Sequence, residues 1–231
     1  ARDLIAHWES MSAALKRGST VGLLKLGTVH TAVSGMLPLA LKRLQREGHG
    51  IEVHVTTALS HELEKAVCHR QLDVAIITEP EVSRSDLEFQ PFVEEPFVVI
   101  VHRSIPGSTD EEVLQSTPYV RFNRSARVGY LVQEEIVRRQ IVVKSTMEID
   151  NLEGVIAMVA NGLGASVVPA RGVRNEFPAA IRTIPFGNPP LTRTLGILVP
   201  KDNPRSHLSQ LLLQALQAVS SDEPRLRLGT G

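Results

Sequence analysis

The stretch Gly27-Thr28-Val29-His30-Thr31 places two hydroxyls and an imidazole where an apolar run gives way to a helical pattern. A helix N-terminus presents unpaired N–H groups and a partial positive charge, so such a turn suits a carboxylate or another anion. Thr28 and Thr31 add hydroxyls for a ligand oxygen, and His30 can supply a proton; the alternative for Thr31 is a plain helix cap. Thr78 closes the apolar run Val74–Ile77 at the carboxyl end of a strand, where open α/β sheets place their ligands. Ordinary turn chemistry in Thr78-Glu79-Pro80 is the alternative there. Asp150 and Asn151 precede a helical face of Leu152, Val155, Ile156 and Val159, and either suits an N-cap. Asp150 would repel an anion, so it either accepts from a ligand hydroxyl or ammonium or only caps. The stretch Phe122–Arg127 adds Asn123 and Ser125 at another strand end, and Arg121 or Arg124 is able to fork onto a carboxylate. Solvated loop arginines are the bland alternative.

Other constellations carry less chemistry. His61, Glu64 and Cys68 fall on one helical face, a pattern open to a metal or redox reading. Cys68 has no second cysteine to resolve an oxidised thiol, and it reads better as packing. The remaining histidines form no ligand-spaced set, so no metal and no cofactor are expected. The sequence lacks G-x-S-x-G, the P-loop, H-E-x-x-H and the dinucleotide fingerprint. Gly162-Leu163-Gly164 follows a helical pattern rather than opening one, so it is no phosphate loop. The expectation is a binding module and not an enzyme.

Composition sets the frame. The chain of 231 residues is 42% hydrophobic, enough to bury a sizeable core without disulfides. Lys+Arg and Asp+Glu are equal at 25 each, unlike the strongly basic surface that phosphate-backbone binding requires. A single cysteine suits a reducing compartment. The opening ARDLIAHWES has no apolar run typical of a signal peptide, and no stretch approaches the ~20 apolar residues that cross a bilayer. A soluble, cytoplasmic protein without membrane contact is expected.

The elements that must position these residues follow from periodicity. Leu4, Trp8, Met11 and Leu15 are spaced by four, three and four, an a/d seam suited to pairing with another helix, and Gly18-Ser19 ends it. Val21–Val29 predicts a strand, and one helix is expected over Thr31–Arg46. Ile51, Val53 and Val55 alternate with polar residues as a half-buried strand does. Ser60 is expected to cap a helix with Leu63, Ala66 and Val67 on its buried stripe. Val74–Ile77 and Phe97–Val101 read as buried strands. In the second half, Ser108–Glu111 resembles a capping box, Tyr119–Phe122 a strand and Tyr130–Arg139 a helix. Leu152–Val159 is helical, Ala165–Val168 and Leu195–Val199 are strands, and Leu208–Val219 is the last amphipathic helix. Strand–helix alternation of this kind predicts βαβ units, a mostly parallel sheet and an α/β fold of two lobes with a cleft between them.

These residues also carry a family resemblance. GLLKLGTVHTAVSGMLPLALKRLQ, then IEVHVTTALSHELEKAVCHRQLDVAIITEP, and later EIDNLEGVIAMVANGLGASVVP, resemble the effector-binding domain of LysR-type transcriptional regulators, in order and spacing across 19–218. The resemblance implies a type 2 periplasmic-binding-protein-like fold of two Rossmann-like lobes joined by two crossover strands. Lobe one would take residues 20–101 plus 196–225, and lobe two residues 102–195. Residues 1–18 would end a linker helix that pairs two subunits, and a winged helix-turn-helix would precede it. The implied partners are a small polar or anionic effector in the interlobe cleft, a second copy packed side by side and antiparallel, and DNA through the helix-turn-helix alone. The resemblance places effector contacts in the turn of Thr28, His30 and Thr31, at Thr78, and in lobe two near Asp150 and Asn151. With Arg121, Asn123 and Ser125, these are the candidate site. The alternative is a periplasmic solute-binding protein of a transporter, which shares the fold.

Overall fold

The computed structural model describes residues 22–222, apart from 49 and 172–178. The expected linker helix at 1–18 and the end of the last segment, 223–225, lie outside the described residues.

The strand β1 (Gly22–Thr28) pairs in parallel with β2 (Ile51–Thr57) on one side and β3 (Val74–Thr78) on the other. The turn after β1 leads to two helices, α1 (His30–Val33) and α2 (Leu37–Arg46), where one was expected. Pro38 explains the break: its ring cannot donate to residue 34 and clashes with that carbonyl, so the chain restarts with proline in the first turn. The helix α3 (Ser60–Cys68) connects β2 to β3.

From β3 the chain enters β4 (Leu87–His102), a strand of 16 residues that runs out of one hydrophobic core and into another. Its first part pairs antiparallel with β9 (Thr192–Pro200), from Leu87–Pro200 to Pro96–Thr192. Its second part pairs antiparallel with β7 (Ala165–Pro169) and β8 (Ile181–Pro185). The second lobe is completed by α4 (Asp110–Ser116), β5 (Tyr119–Phe122), α5 (Arg127–Arg138), β6 (Ser145–Ile149) and α6 (Leu152–Ala160). The last helix, α7 (Ser206–Asp222), returns to the first lobe. Gly162 takes φ +73° after α6, the left-handed C-terminal cap that its place in the sequence predicts.

The strand order is β2-β1-β3-β9-β4-β7-β5-β6, with β8 also on β4. Parallel pairing is confined to the interior of each lobe, so the sheet is mixed rather than mostly parallel. The cause is topological: β4 leaves the first lobe and β9 comes back, so the two run in opposite directions. One core holds Leu24, Leu26, Ile76, Ile77, Leu195, Ile197 and Leu212 among others. The other holds Phe97–Val101, Val120, Val155, Val167 and Phe186. By core membership the chain crosses between the lobes near Pro96 and again between Leu191 and Leu195, so the first crossing lies ahead of 101 and the second close to 195. Phe97–Val101 pairs with β7 and β8 of lobe two, and its side chains are buried in that lobe's core, which is why the run is apolar. At this boundary the Phe97 N–H donates to the Leu191 carbonyl at 2.8 Å. No helix among the described residues is long and apolar enough to cross a membrane.

Candidate functional site

The strands β1 and β3 of lobe one and β5 and β6 of lobe two end toward the same space between the lobes. Its inner part is a cavity of about 30 Å³ lined by His30, Thr31, Thr78, Asn123, Asp150 and Arg193, with Val29, Ala58, Leu59, Phe122 and Val128 as apolar walls. That is room for one or two water molecules. Past Ser60, Thr78, Ala126 and Arg127 it meets an outer cavity of about 390 Å³, lined by His61, Glu64, Glu79, Glu81, Arg124, Ser125 and Tyr130.

The floor of the inner cavity is an ion pair between the two crossover strands. Glu95 of β4 and Arg193 of β9 sit opposite each other in register. Both side chains are 1% exposed, with 2.6 Å between Arg193 Nη2 and Glu95 Oε2. Arg193 Nε donates to the same carboxylate at 2.8 Å, and the Arg171 amide donates to Glu95 Oε1 at 2.6 Å. The remaining guanidinium capacity goes to hydroxyls: Nη2 donates to Thr31 Oγ1 at 3.0 Å and Nη1 to Thr78 Oγ1 at 3.3 Å. Arg193 and Glu95 escaped the sequence reading altogether. Their signal was an arginine ahead of one buried run and the second of two adjacent glutamates, Glu94 and Glu95, ahead of another.

The other candidate residues divide. His30 and Asp150 line the inner cavity from opposite lobes, and Ser125 lines the outer one. Asn123 lines the inner cavity while its Oδ1 accepts from the Ser125 N–H at 2.9 Å, which holds the loop. Gly129 lets that loop lie on α5: a Cβ there would stand 2.1 Å from the Asn123 carbonyl. Thr28 is fully buried and donates to the Val29 carbonyl, so it lines neither cavity. Asn151 is the N-cap of α6, accepting from the Gly154 N–H at 2.7 Å. Arg121 turns away from the cleft to bond Gln133 and lies over the Tyr119 ring. Arg124 forks onto Glu148, which holds the loop to β6; the Arg124 amide and guanidinium together keep the Glu148 carboxyl below its ordinary range.

Two further differences bring residues into the cleft. α5 begins at Arg127 rather than Tyr130, so Arg127 occupies its first turn. There it bonds Glu81 across the interlobe gap and lies over the Tyr130 ring, while its buried Nε has no partner. α3 takes Leu59 as its N-cap, with Glu62 accepting from the Leu59 N–H at 2.9 Å, and Ser60 lies instead on the cleft wall. On the α3 face that suggested a metal, Cys68 contacts Arg84 and Asp86, and no metal-holding group of three ligands is found among the described residues.

A sequence model described as the LysR substrate binding domain matches residues 17–221. The chain belongs to the LysR substrate-binding domain family. It is 25% identical over 201 residues to a "Probable RuBisCO transcriptional regulator" of Thalassiosira pseudonana, covering 82% of this chain and 64% of that protein. It is 27% identical over 205 residues to the HTH-type transcriptional regulator IlvR of Caulobacter vibrioides, covering 86% and 68%. The chain thus spans about three fifths to two thirds of the length of these relatives. The reduced OxyR regulatory domain from Pseudomonas aeruginosa superposes with a TM-score of 0.75 at 26% identity, over 87% of this chain and 98% of that one. The effector binding domain of QuiR in complex with shikimate shares the fold, with a TM-score of 0.72 at 16% identity over 87% and 98%. As a LysR substrate-binding domain, the chain has the type 2 periplasmic-binding-protein-like fold.

Proposed function

We propose that this domain is the effector-sensing module of a transcription regulator, binding a small polar or anionic metabolite between its lobes. The observation that carries the reading is a single cleft walled by His30, Thr31 and Thr78 of one lobe and Asn123 and Asp150 of the other. A ligand that touches both walls binds one interlobe angle better than another, and that difference is the free energy available to shift the molecule's conformation. Two strands, β4 and β9, run between the lobes and are the natural hinge. The Glu81–Arg127 pair across the mouth makes and breaks as the angle changes.

In this reading the conformational change passes to a DNA-binding part of a longer protein, as the names of the regulatory relatives suggest. The domain itself leaves duplex DNA alone, given its equal charge counts. It works in the cytoplasm and pairs with a second copy. β2 favours self-association: it is an edge strand, and Val55 on it is 42% exposed. The test is a thermal-shift screen of the domain against small carboxylates, hydroxy acids, amino acids and aromatic acids, followed by calorimetry. A saturable rise in melting temperature that Thr78→Val weakens supports the module. Binding that Thr78→Val and Asp150→Asn leave unchanged would place the ligand elsewhere and refute it.

A further inference from the structure

The inner cavity is narrow because the lobes touch at two places beside it. After β1, Ser34 at the end of α1 donates to Glu153 Oε1, in the first turn of α6, at 2.8 Å. Next to it, Gly35 lies against the Arg171 carbonyl of lobe two, which a Cβ on the glycine would approach to 3.7 Å. After β3, Glu81 accepts from Arg127 in the first turn of α5. The Arg127 guanidinium lies 5.2 Å from the centre of the Tyr130 ring, which holds it in place to meet Glu81. Neither pair sits on β4 or β9, so the path of the chain between the lobes does not enforce them. Ser34 and Glu153 are exposed and Glu81 is 57% exposed, so each contact alone is weak. Both span the lobes, however, and one opening motion breaks both.

We propose that Ser34–Glu153 and Arg127–Glu81 act as a clasp that holds the domain shut by itself. The space inside, about 30 Å³, admits one or two waters. A larger effector then has to part the lobes, and it binds only the fraction of molecules whose clasp is open. Affinity falls by that fraction, so Ser34 and Glu153, which line neither cavity, set affinity without touching the ligand. This consequence rests on the interlobe effector reading; the clasp itself rests on the contacts alone. Cleft residues thereby divide in role: Thr31, Thr78 and Asp150 face what is bound, whereas Glu81 and Arg127 oppose its entry.

The clasp is read without any ligand, by pulsed electron spin resonance between nitroxides on Lys65→Cys of α3 and Val137→Cys of α5. Both positions are exposed, and Cys68→Ser removes the native thiol. In dilute salt one short distance should dominate. Ser34→Ala and Glu81→Ala should each raise the ratio of long to short distances by roughly 2- to 5-fold, and together by roughly 4- to 25-fold. Salt at about 0.5 M cuts the screening length to a few ångström, so it should open the parent as Glu81→Ala does and add little to Glu81→Ala itself. The exchange Glu81→Arg/Arg127→Glu should return the short distance, which damage to the fold would not. A long distance that dominates in the parent overturns the clasp. So does one short distance that persists unchanged in the double variant and at high salt. An exchange variant as open as Glu81→Ala removes the ion pair from the clasp and overturns the proposal as well. If the distances respond while the thermal screen finds no ligand, the effector reading falls and the clasp stands; unchanged distances beside a saturable ligand do the reverse.

Discussion

Replacing Glu95 with glutamine tests the joint between the lobes most directly. The change keeps size and one acceptor but removes the negative charge facing Arg193, whose side chain is 1% exposed. Removing one partner of a buried ion pair costs about 3–5 kcal/mol, because the other charge is left without compensation or water. The amide oxygen still accepts one hydrogen bond, which offsets about 0.5–1.5 kcal/mol. A net loss of about 2–4 kcal/mol follows, a large share of the ~5–15 kcal/mol that holds a typical protein folded. For a domain of this size each kcal/mol moves the melting temperature by roughly 2–4 °C, so a fall of roughly 4–16 °C is expected. Urea denaturation followed by far-ultraviolet circular dichroism, with calorimetry for the melting temperature, measures both. The double variant Glu95→Leu/Arg193→Met removes both charges and should recover much of the loss, with a coupling energy of about 2–3 kcal/mol. The Arg171 amide, which also relies on Glu95, keeps that recovery incomplete. A loss under about 1 kcal/mol for Glu95→Gln, or strictly additive single variants, would refute the reasoning. Either would mean that the lobes part far enough in solution for water to reach the pair.

Three further outcomes are expected. Asn151→Ala removes the α6 cap and should cost about 1 kcal/mol in denaturation while leaving ligand affinity unchanged, because Asn151 bonds Gly154 and stays off the cavity wall. Burial pushes the Asp110 carboxyl up, but hydrogen bonds from Arg139 and Gly187 outweigh it and leave it below its ordinary 3.8. Its stabilisation is therefore complete above that value and lost as pH falls through the lower folded one, so Asp110→Asn should flatten the acid limb of denaturation midpoints measured from about pH 5 downward. A fragment beginning at residue 19 should still run as a dimer by light scattering if the lobes themselves pair; a strictly monomeric fragment would assign pairing to the first 18 residues.

The parts of the fold that were legible in the sequence are those where one physical requirement dominates. Val74–Ile77 is apolar throughout, and Ala165–Val168 is apolar except for buried Ser166, because both faces of their strands are covered, and no surface element reads that way. Ser145–Ile149 and Ile181–Pro185 were missed: each mixes polar and apolar residues over five positions, too short for alternation to stand out. The single helix expected over Thr31–Arg46 failed because apolar spacing spoke louder than Pro38. Strand-end logic gathered His30, Thr31, Thr78, Asn123 and Asp150 into one cleft, since the end of a strand is a position that a sequence can mark. It could not show that Asn151 would be consumed as a cap or Arg121 by Gln133. Glu95 and Arg193 stayed hidden because a charge beside an apolar run ordinarily signals a surface, and only the register of β4 against β9 reveals that each buries the other.

The hydrogen bond between Phe97 and Leu191 has a consequence for engineering. The two points where the chain enters and leaves the second lobe are neighbours, so that lobe is an insertion whose ends already meet. The first lobe is built from segments on both sides of it and has no contiguous coding region of its own. Exchange between relatives should therefore work as a cassette: residues 97–191 can be traded as one piece, because the Glu95–Arg193 pair at the seam stays with the recipient. A splice at any single point would instead divide the first lobe between two parents.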